Sequence, residues 1–173
     1  MTRQTAELDY HVARILILLD AFTKRGRTFK GLTKLAKLDF LLRYPVFLDR
    51  LMKADEREWP PGTEPSEIER EAVESRMIRY KYGPWDNRYY PIIGSLLGRG
   101  LVRQLKGSDT LALELTDKGH QVAAQLARLP TWQTTARRCQ LLKDHYDRSG
   151  GALKDRIYRE LPEAVERPYK SLI

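Results

Sequence analysis

Six basic residues, Arg79, Lys81, Arg88, Arg99, Arg103 and Lys106, stand between positions 79 and 106, with Tyr80, Tyr82, Trp85, Tyr89 and Tyr90 among them. Over residues 76 to 106, seven bases including Arg76 face one acid, Asp86, for a local charge of +6. Cations at this density suit contact with phosphates, each contact steepening the dependence of affinity on salt. The aromatic residues admit two readings: core packing with basic side chains reaching past them to solvent, or part of the contact surface itself.

No competing chemistry stands out. His11, His120 and His145 fall on three different expected helices with no His-x-x-x-His spacing, so structural roles are expected and no metal. There is no Gly-x-Ser-x-Gly elbow and no Gly-x-x-x-x-Gly-Lys-Ser/Thr phosphate loop. Gly94-Ser95-Leu96-Leu97-Gly98 superficially resembles a glycine-rich loop, but it carries a helical apolar face and lacks a lysine. A non-catalytic binding protein without a cofactor is expected.

Periodicity predicts the elements that hold these residues. Ile92, Ile93, Leu96 and Leu97 make one apolar face and Gly100 stands where a helix ends, which predicts a helix over residues 88–98. Leu101 to Leu105 and the alternating Leu111, Leu113 and Leu115 flank the turn residues Lys106 to Thr110, a β-hairpin. Thr116-Asp117 then opens a helix that closes before Pro130. Helix, hairpin, helix is the order of a winged-helix domain. Residues 88–98 take the place of its recognition helix and the hairpin that of its wing. Arg88 and Arg99 mark the ends of that helix, and Arg103 and Lys106 lie on the wing. The surface of that helix is thin in base readers, with Ser95 and Asn87 the main candidates.

Upstream, Leu8, Val12, Ile15, Leu19 and Phe22 predict a first helix ended by Gly26. Leu32 to Leu42 predict a second, with Lys30, Lys34 and Lys37 directed to solvent and a stop or kink at Pro45. Phe47, Leu48 and Leu51 suggest a short third. Between 54 and 75 eight acids oppose two bases, a local −6, and a loop through Trp59-Pro60-Pro61-Gly62 leads to an acidic helix from about Ser66 to Met77. That segment is either a solvated face or a docking site. Tyr82-Gly83-Pro84-Trp85 reads as a turn, with Asp86 or Asn87 capping the helix after it. Beyond Pro130, one helix runs to about Asp147, is broken at Ser149-Gly150-Gly151, and is followed by a last helix through Leu153, Ile157 and Leu161. The expected fold is mainly α with a small β-hairpin wing (α+β). A winged-helix-like domain takes 1–130, with an acidic insertion near 54–75, and a C-terminal helical extension takes 131–173.

The 173 residues carry a net charge of +8 and an isoelectric point near 9.6, which favours an anionic partner. With 42% apolar and 31% charged residues the chain is expected to fold. No apolar run reaches the ~20 residues of a bilayer span, and no signal core follows Met1, so a cytoplasmic protein with no membrane partner is expected. The single cysteine, Cys139, has no partner for an internal disulfide and reads as a packing residue.

Three stretches, Arg14 to Phe22, Leu35-Ala36-Lys37-Leu38-Asp39-Phe40-Leu41-Leu42-Arg43-Tyr44-Pro45, and Gly94 to Val102 followed by Leu115-Thr116-Asp117-Lys118-Gly119, resemble the small middle components of bacterial ABC three-component systems. Those are winged-helix-like subunits encoded beside an SMC/RecN-like ATPase in anti-phage operons of the Lamassu type. The resemblance implies a non-catalytic adaptor that joins an SMC/RecN-like ATPase subunit to an effector subunit and touches double-stranded DNA. A looser similarity, through Lys34-Leu35-Ala36-Lys37-Leu38 and Tyr82-Gly83-Pro84, is to Panacea-type antitoxin domains, from which the long acidic link between the two motifs departs. The alternative expectation is a stand-alone winged-helix transcriptional regulator acting as a homodimer on a palindromic site.

Overall fold

The computed structural model describes residues 3–71, 78–80 and 83–162. In chain order the first elements are α1 (Arg3–Thr23), β1 (Phe29–Lys30), α2 (Leu32–Arg43), α3 (Pro45–Ala54), α4 (Glu67–Glu71), β2 (Ile78–Tyr80) and β3 (Gly83–Trp85). They are followed by α5 (Tyr89–Gly98), β4 (Val102–Gln104), β5 (Ala112–Leu115), α6 (Asp117–Arg128), α7 (Pro130–Tyr146) and α8 (Gly150–Glu160). The fold is mainly helical with a small three-stranded antiparallel sheet, an α+β arrangement. By contact the chain forms two units, each made of two stretches: residues 1–32 with 88–147, and residues 33–87 with 148–173.

The first unit is built around α1. From His11 to Thr23 buried residues occur on nearly every side of this helix, as a central helix requires, and α5, α6, α7 and β5 pack on it. The sheet order is β1-β5-β4, so the last strand in sequence lies in the middle. Phe29 pairs with Leu113 and Lys30 with Ala112, while Val102, Arg103 and Gln104 pair with Leu115, Glu114 and Leu113. Phe29 and Val102 are buried and their neighbours Lys30 and Arg103 exposed, which sets one sheet face on the core and the other in water. α7 also belongs to this unit and places Trp132, Cys139 and Leu142 in the core.

The Leu-Thr-Asp-Lys-Gly stretch at 115–119 locks the hairpin to the helices around it. α5 ends in a glycine-dependent stop: Gly100 has φ +66°, its N–H donates to the Leu97 carbonyl, and the Leu101 N–H reaches back to that of Leu96. Thr116 caps α6 by accepting from the Gly119 N–H at 3.0 Å, and its hydroxyl donates to the Gly100 carbonyl at 2.7 Å. Lys118 donates to the Arg99 carbonyl at 2.8 Å, which satisfies one of the free carbonyls at the end of α5.

In the second unit three expectations need correction. Lys37 does not face solvent: it is 1% exposed, and burial together with the charge of Lys154 lowers its pKa to about 7. Gly83–Trp85 is a strand and not a turn, paired antiparallel with Ile78–Tyr80 so that Ile78 faces Trp85 and Tyr80 faces Gly83. Asp86 does not cap α5; it is buried against Arg43 at 2.6 Å, and Arg88 is the residue at the helix start, with no side-chain cap. A buried carboxylate takes a guanidinium partner in preference to a solvated backbone N–H.

Elsewhere in that unit Pro45 occupies the first turn of α3, where its missing N–H costs nothing. Trp59 donates from its indole to Asp49 at 2.8 Å, and Lys53 donates to the same carboxylate at 2.8 Å. Burial alone would raise the Asp49 pKa, but hydrogen bonds from Lys53 and Trp59, with the charges of Lys53 and Arg70, bring it below the usual value. The acidic helix begins as expected, with Ser66 and Glu69 in a reciprocal capping box at 3.2 and 2.9 Å. Its expected continuation over 72–77 lies outside the described residues.

Candidate nucleic-acid interface

Positive charge is divided unequally between the two units. The stretches 1–32 and 88–147 hold fifteen Lys and Arg against eight Asp and Glu, a net +7, whereas 33–87 and 148–173 hold sixteen against fifteen, a net +1. Nearly all of the chain's excess charge therefore belongs to the unit with the three-stranded sheet.

The six expected phosphate contacts have different fates. Lys81 lies outside the described residues; Arg79 stands in β2, opposite Pro84. Arg88 enters a compact cluster against α1, donating to Glu7 at 3.2 Å and touching the far nitrogen of His11, whose near nitrogen lies 2.5 Å from Arg14. His11 and Arg14 are buried, so Arg88 anchors the start of α5 on α1. Arg99, half exposed, meets Asp9 of α1 at 2.5 Å. Arg103 is 66% exposed and directs two nitrogens, at 2.7 and 3.1 Å, to one oxygen of Glu114 on the neighbouring strand. A hydrogen bond from the Thr28 hydroxyl, then those from Arg103, hold the Glu114 carboxyl below its usual pKa. Lys106 projects from the exposed β4–β5 loop, with no ion pair among the described residues.

Three of the six are thus paired with carboxylates of their own unit. Exposed ion pairs are worth only ~0–1 kcal/mol, so Arg99 and Arg103 can still turn to a phosphate, but each carries a compensating acid with it. Besides Lys106, a run of exposed cations without an ion pair among the described residues lies elsewhere: Lys24, Arg25, Arg27 and Lys30, from the end of α1 into β1. Four bases and no acid in seven residues is a signal readable in sequence, overshadowed by the larger basic stretch further on.

The outer face of α5 carries little that could read a base. Tyr89 is fully buried in the core, Tyr90 is exposed, and Tyr80, Tyr82 and Trp85 lie outside what the structure describes of side chains. Gly94 and Gly98 face open space, with nothing within 4 Å of where a Cβ would sit. Ser95 is half-buried and Asn87 exposed. Such a face admits close approach of a neighbouring backbone and offers few donors or acceptors for sequence readout.

Lys24, Ala127, Gln133, Ala136, Arg137 and Gln140 line an open groove of about 290 Å³. His120 bridges α6 to α1 through Asp20 at 2.6 Å, and His145 is exposed on α7. Among the described residues no three His, Cys, Asp or Glu side chains are placed to hold a metal ion, and no helix is long and apolar enough to cross a membrane.

Compared with protein-family models, with curated proteins and with solved structures, the chain matches none.

Proposed function

We propose that this chain is a non-catalytic winged-helix subunit that holds nucleic acid by its phosphate backbone through one unit and engages a protein partner through the other. The observation that carries the reading is the unequal division of charge, +7 against +1. A unit with that excess attracts a polyanion without regard to its sequence, and a nearly neutral one does not.

The winged-helix assignment rests on order and sheet topology. Helix, strand and helix (α1, β1, α2) are followed, after the segment 44–87, by α5 and a hairpin whose second strand lies between the first and β1. In such domains the helix before the hairpin faces DNA and the hairpin loop flanks it. Here the bare outer face of α5 favours phosphate contact over base reading.

With the resemblance to the middle components of Lamassu-type systems, this gives an accessory subunit of an SMC/RecN-like ATPase complex in bacterial anti-phage defence, bridging ATPase and effector. The alternative is a free-standing dimeric regulator. Among the described residues, exposed large apolar side chains of the first unit are limited to Tyr10, Tyr90 and Leu129, a modest supply for a permanent dimer interface.

The test is co-purification with the products of neighbouring genes, followed by DNA titration of the chain alone and of any complex at two salt concentrations. A stable complex with an ATPase whose DNA binding exceeds that of the chain alone supports the adaptor. No partner, with tight binding of one palindrome by a dimer, supports the regulator instead.

A further inference from the structure

We infer that the principal phosphodiester contact of this protein is the segment from the end of α1 through β1, by way of Lys24, Arg25, Arg27 and Lys30, and not the arginines flanking α5 and on β4. The inference rests on the nucleic-acid reading above and specifies which residues serve it. All four side chains are exposed, and none lies within ion-pair distance of an acid among the described residues. Arg88, Arg99 and Arg103 each have one. Counter-ions condensed on a polyanion are displaced by free cations; a guanidinium already neutralised by a neighbouring carboxylate displaces fewer.

The local backbone presents these charges outward. Arg25 and Gly26 both lie in the left-handed region, at φ +64° and +71°, and the Arg27 N–H closes the turn on the Thr23 carbonyl at 3.2 Å. A residue with a Cβ is uncommon there, and glycine or asparagine would fit at lower energy. The turn therefore keeps a cation at a position whose backbone favours a different residue type. A Cβ on Gly26 would meet nothing within 4 Å, so the turn is open to an incoming ligand.

Position within the sheet extends the row. Lys30 lies on the solvent side of β1, opposite buried Phe29, and the next residue, Gly31, donates to the Leu111 carbonyl at 2.8 Å, at the base of the hairpin loop that carries Lys106. The nearest hydrogen-bonded carboxylate, Glu114, is occupied by Thr28 and Arg103. At the other end Lys24 lines the groove along α7, whose lining also includes Arg137 and two glutamines but no acid. A small anion is held by groups converging in a concavity. These cations lie along an exposed turn and strand that run towards the hairpin loop, an arrangement suited to an extended polyanion, which on the reading above is double-stranded nucleic acid.

The experiment measures binding of the 173-residue chain to a mixed-sequence DNA duplex by fluorescence anisotropy over a range of salt. The variant Lys24→Gln/Arg25→Asn/Arg27→Gln/Lys30→Gln changes only exposed groups, and its thermal unfolding is compared with wild type. A second variant, Lys24→Arg/Arg25→Lys/Arg27→Lys/Lys30→Arg, keeps every charge.

The neutral variant should bind at least about tenfold more weakly, with the slope of log K against log salt reduced by about three, and the charge-preserving variant should retain the wild-type slope. A wild-type slope in the neutral variant overturns the assignment while leaving DNA binding in place. Failure of the wild-type chain to bind duplex DNA at low salt, alone or with a partner, overturns the nucleic-acid reading and this segment's role together. Equal displacement of the duplex by poly-glutamate of matched charge overturns the choice of nucleic acid in favour of an acidic protein.

Discussion

Gly119 sits so close to Leu101 that a Cβ on it would lie 2.0 Å from the Leu101 carbonyl oxygen. That oxygen also accepts the Thr116 N–H at 3.1 Å, so it cannot withdraw without breaking the junction between hairpin and α6. Gly119→Ala should destabilise the protein by roughly 2–4 kcal/mol, as overpacking against fixed backbone does. Urea unfolding checks it; a change below about 0.5 kcal/mol would mean the junction relaxes freely.

Lys37 makes stability depend on pH in the alkaline range. Its pKa is lowered from 10.5 to about 7 in the folded chain, so between those values the unfolded state binds more protons and folding strengthens as pH rises. The gain should be on the order of 3–5 kcal/mol by pH 10.5, with the cost of the buried charge fully present below pH 7. Lys37→Met should remove this rise and stabilise the protein at pH 6. Denaturant midpoints of both proteins at pH 6, 8 and 10 decide it, and parallel pH profiles would exclude Lys37 as the source.

Asp49 acts in the opposite direction at acid pH. Because its folded-state pKa is lowered, its contribution is present above the ordinary carboxylate range and is lost as pH falls through the folded value. Asp49→Asn should cost roughly 1–2 kcal/mol at pH 7, through the weakened bonds to Lys53 and Trp59, and progressively less as pH falls below the ordinary carboxylate range. A gap that is constant with pH would contradict the charge-assisted account.

Freeing the paired arginines should strengthen binding. Asp9→Asn with Glu114→Gln removes the charges opposing Arg99 and Arg103 without removing the arginines. Affinity for a DNA duplex at moderate salt should rise about threefold to tenfold. Unchanged affinity in the same anisotropy titration would place the DNA path away from both pairs.

What could be read in advance was local. The helix over 89–98, the hairpin after it and the Thr116 cap each depend on residues within a few positions of one another, and periodicity, glycine and capping signals reach that far. Lys37 was misread because helical spacing does not say which basic residue another part of the chain will cover. Tyr82 to Trp85 carried turn residues, yet Gly83 and Pro84 end up in β3 of a two-stranded pair, where proline at an edge is tolerated.

The charge pairing was illegible for the same reason. Arg88 and Arg99 find Glu7 and Asp9 across 81 and 90 positions, and a count over a contiguous window sees seven bases and one acid. Contact between distant stretches neutralises part of what that window holds and leaves the smaller run at 24–30 bare. The grouping of 1–32 with 88–147 likewise depends on α1 packing against helices far along the chain.

The central claim, sequence-indifferent attraction of a phosphate backbone to the charged unit, is tested most directly by titrating the full chain with two DNA duplexes of unrelated sequence at 50 and 200 mM salt, expected on the order of the slopes known for multi-phosphate contacts. The account predicts affinities for the two duplexes within about threefold of each other and a loss of at least tenfold between the two salts. No binding at the lower salt, or strong preference for one sequence with a shallow salt response, would contradict it.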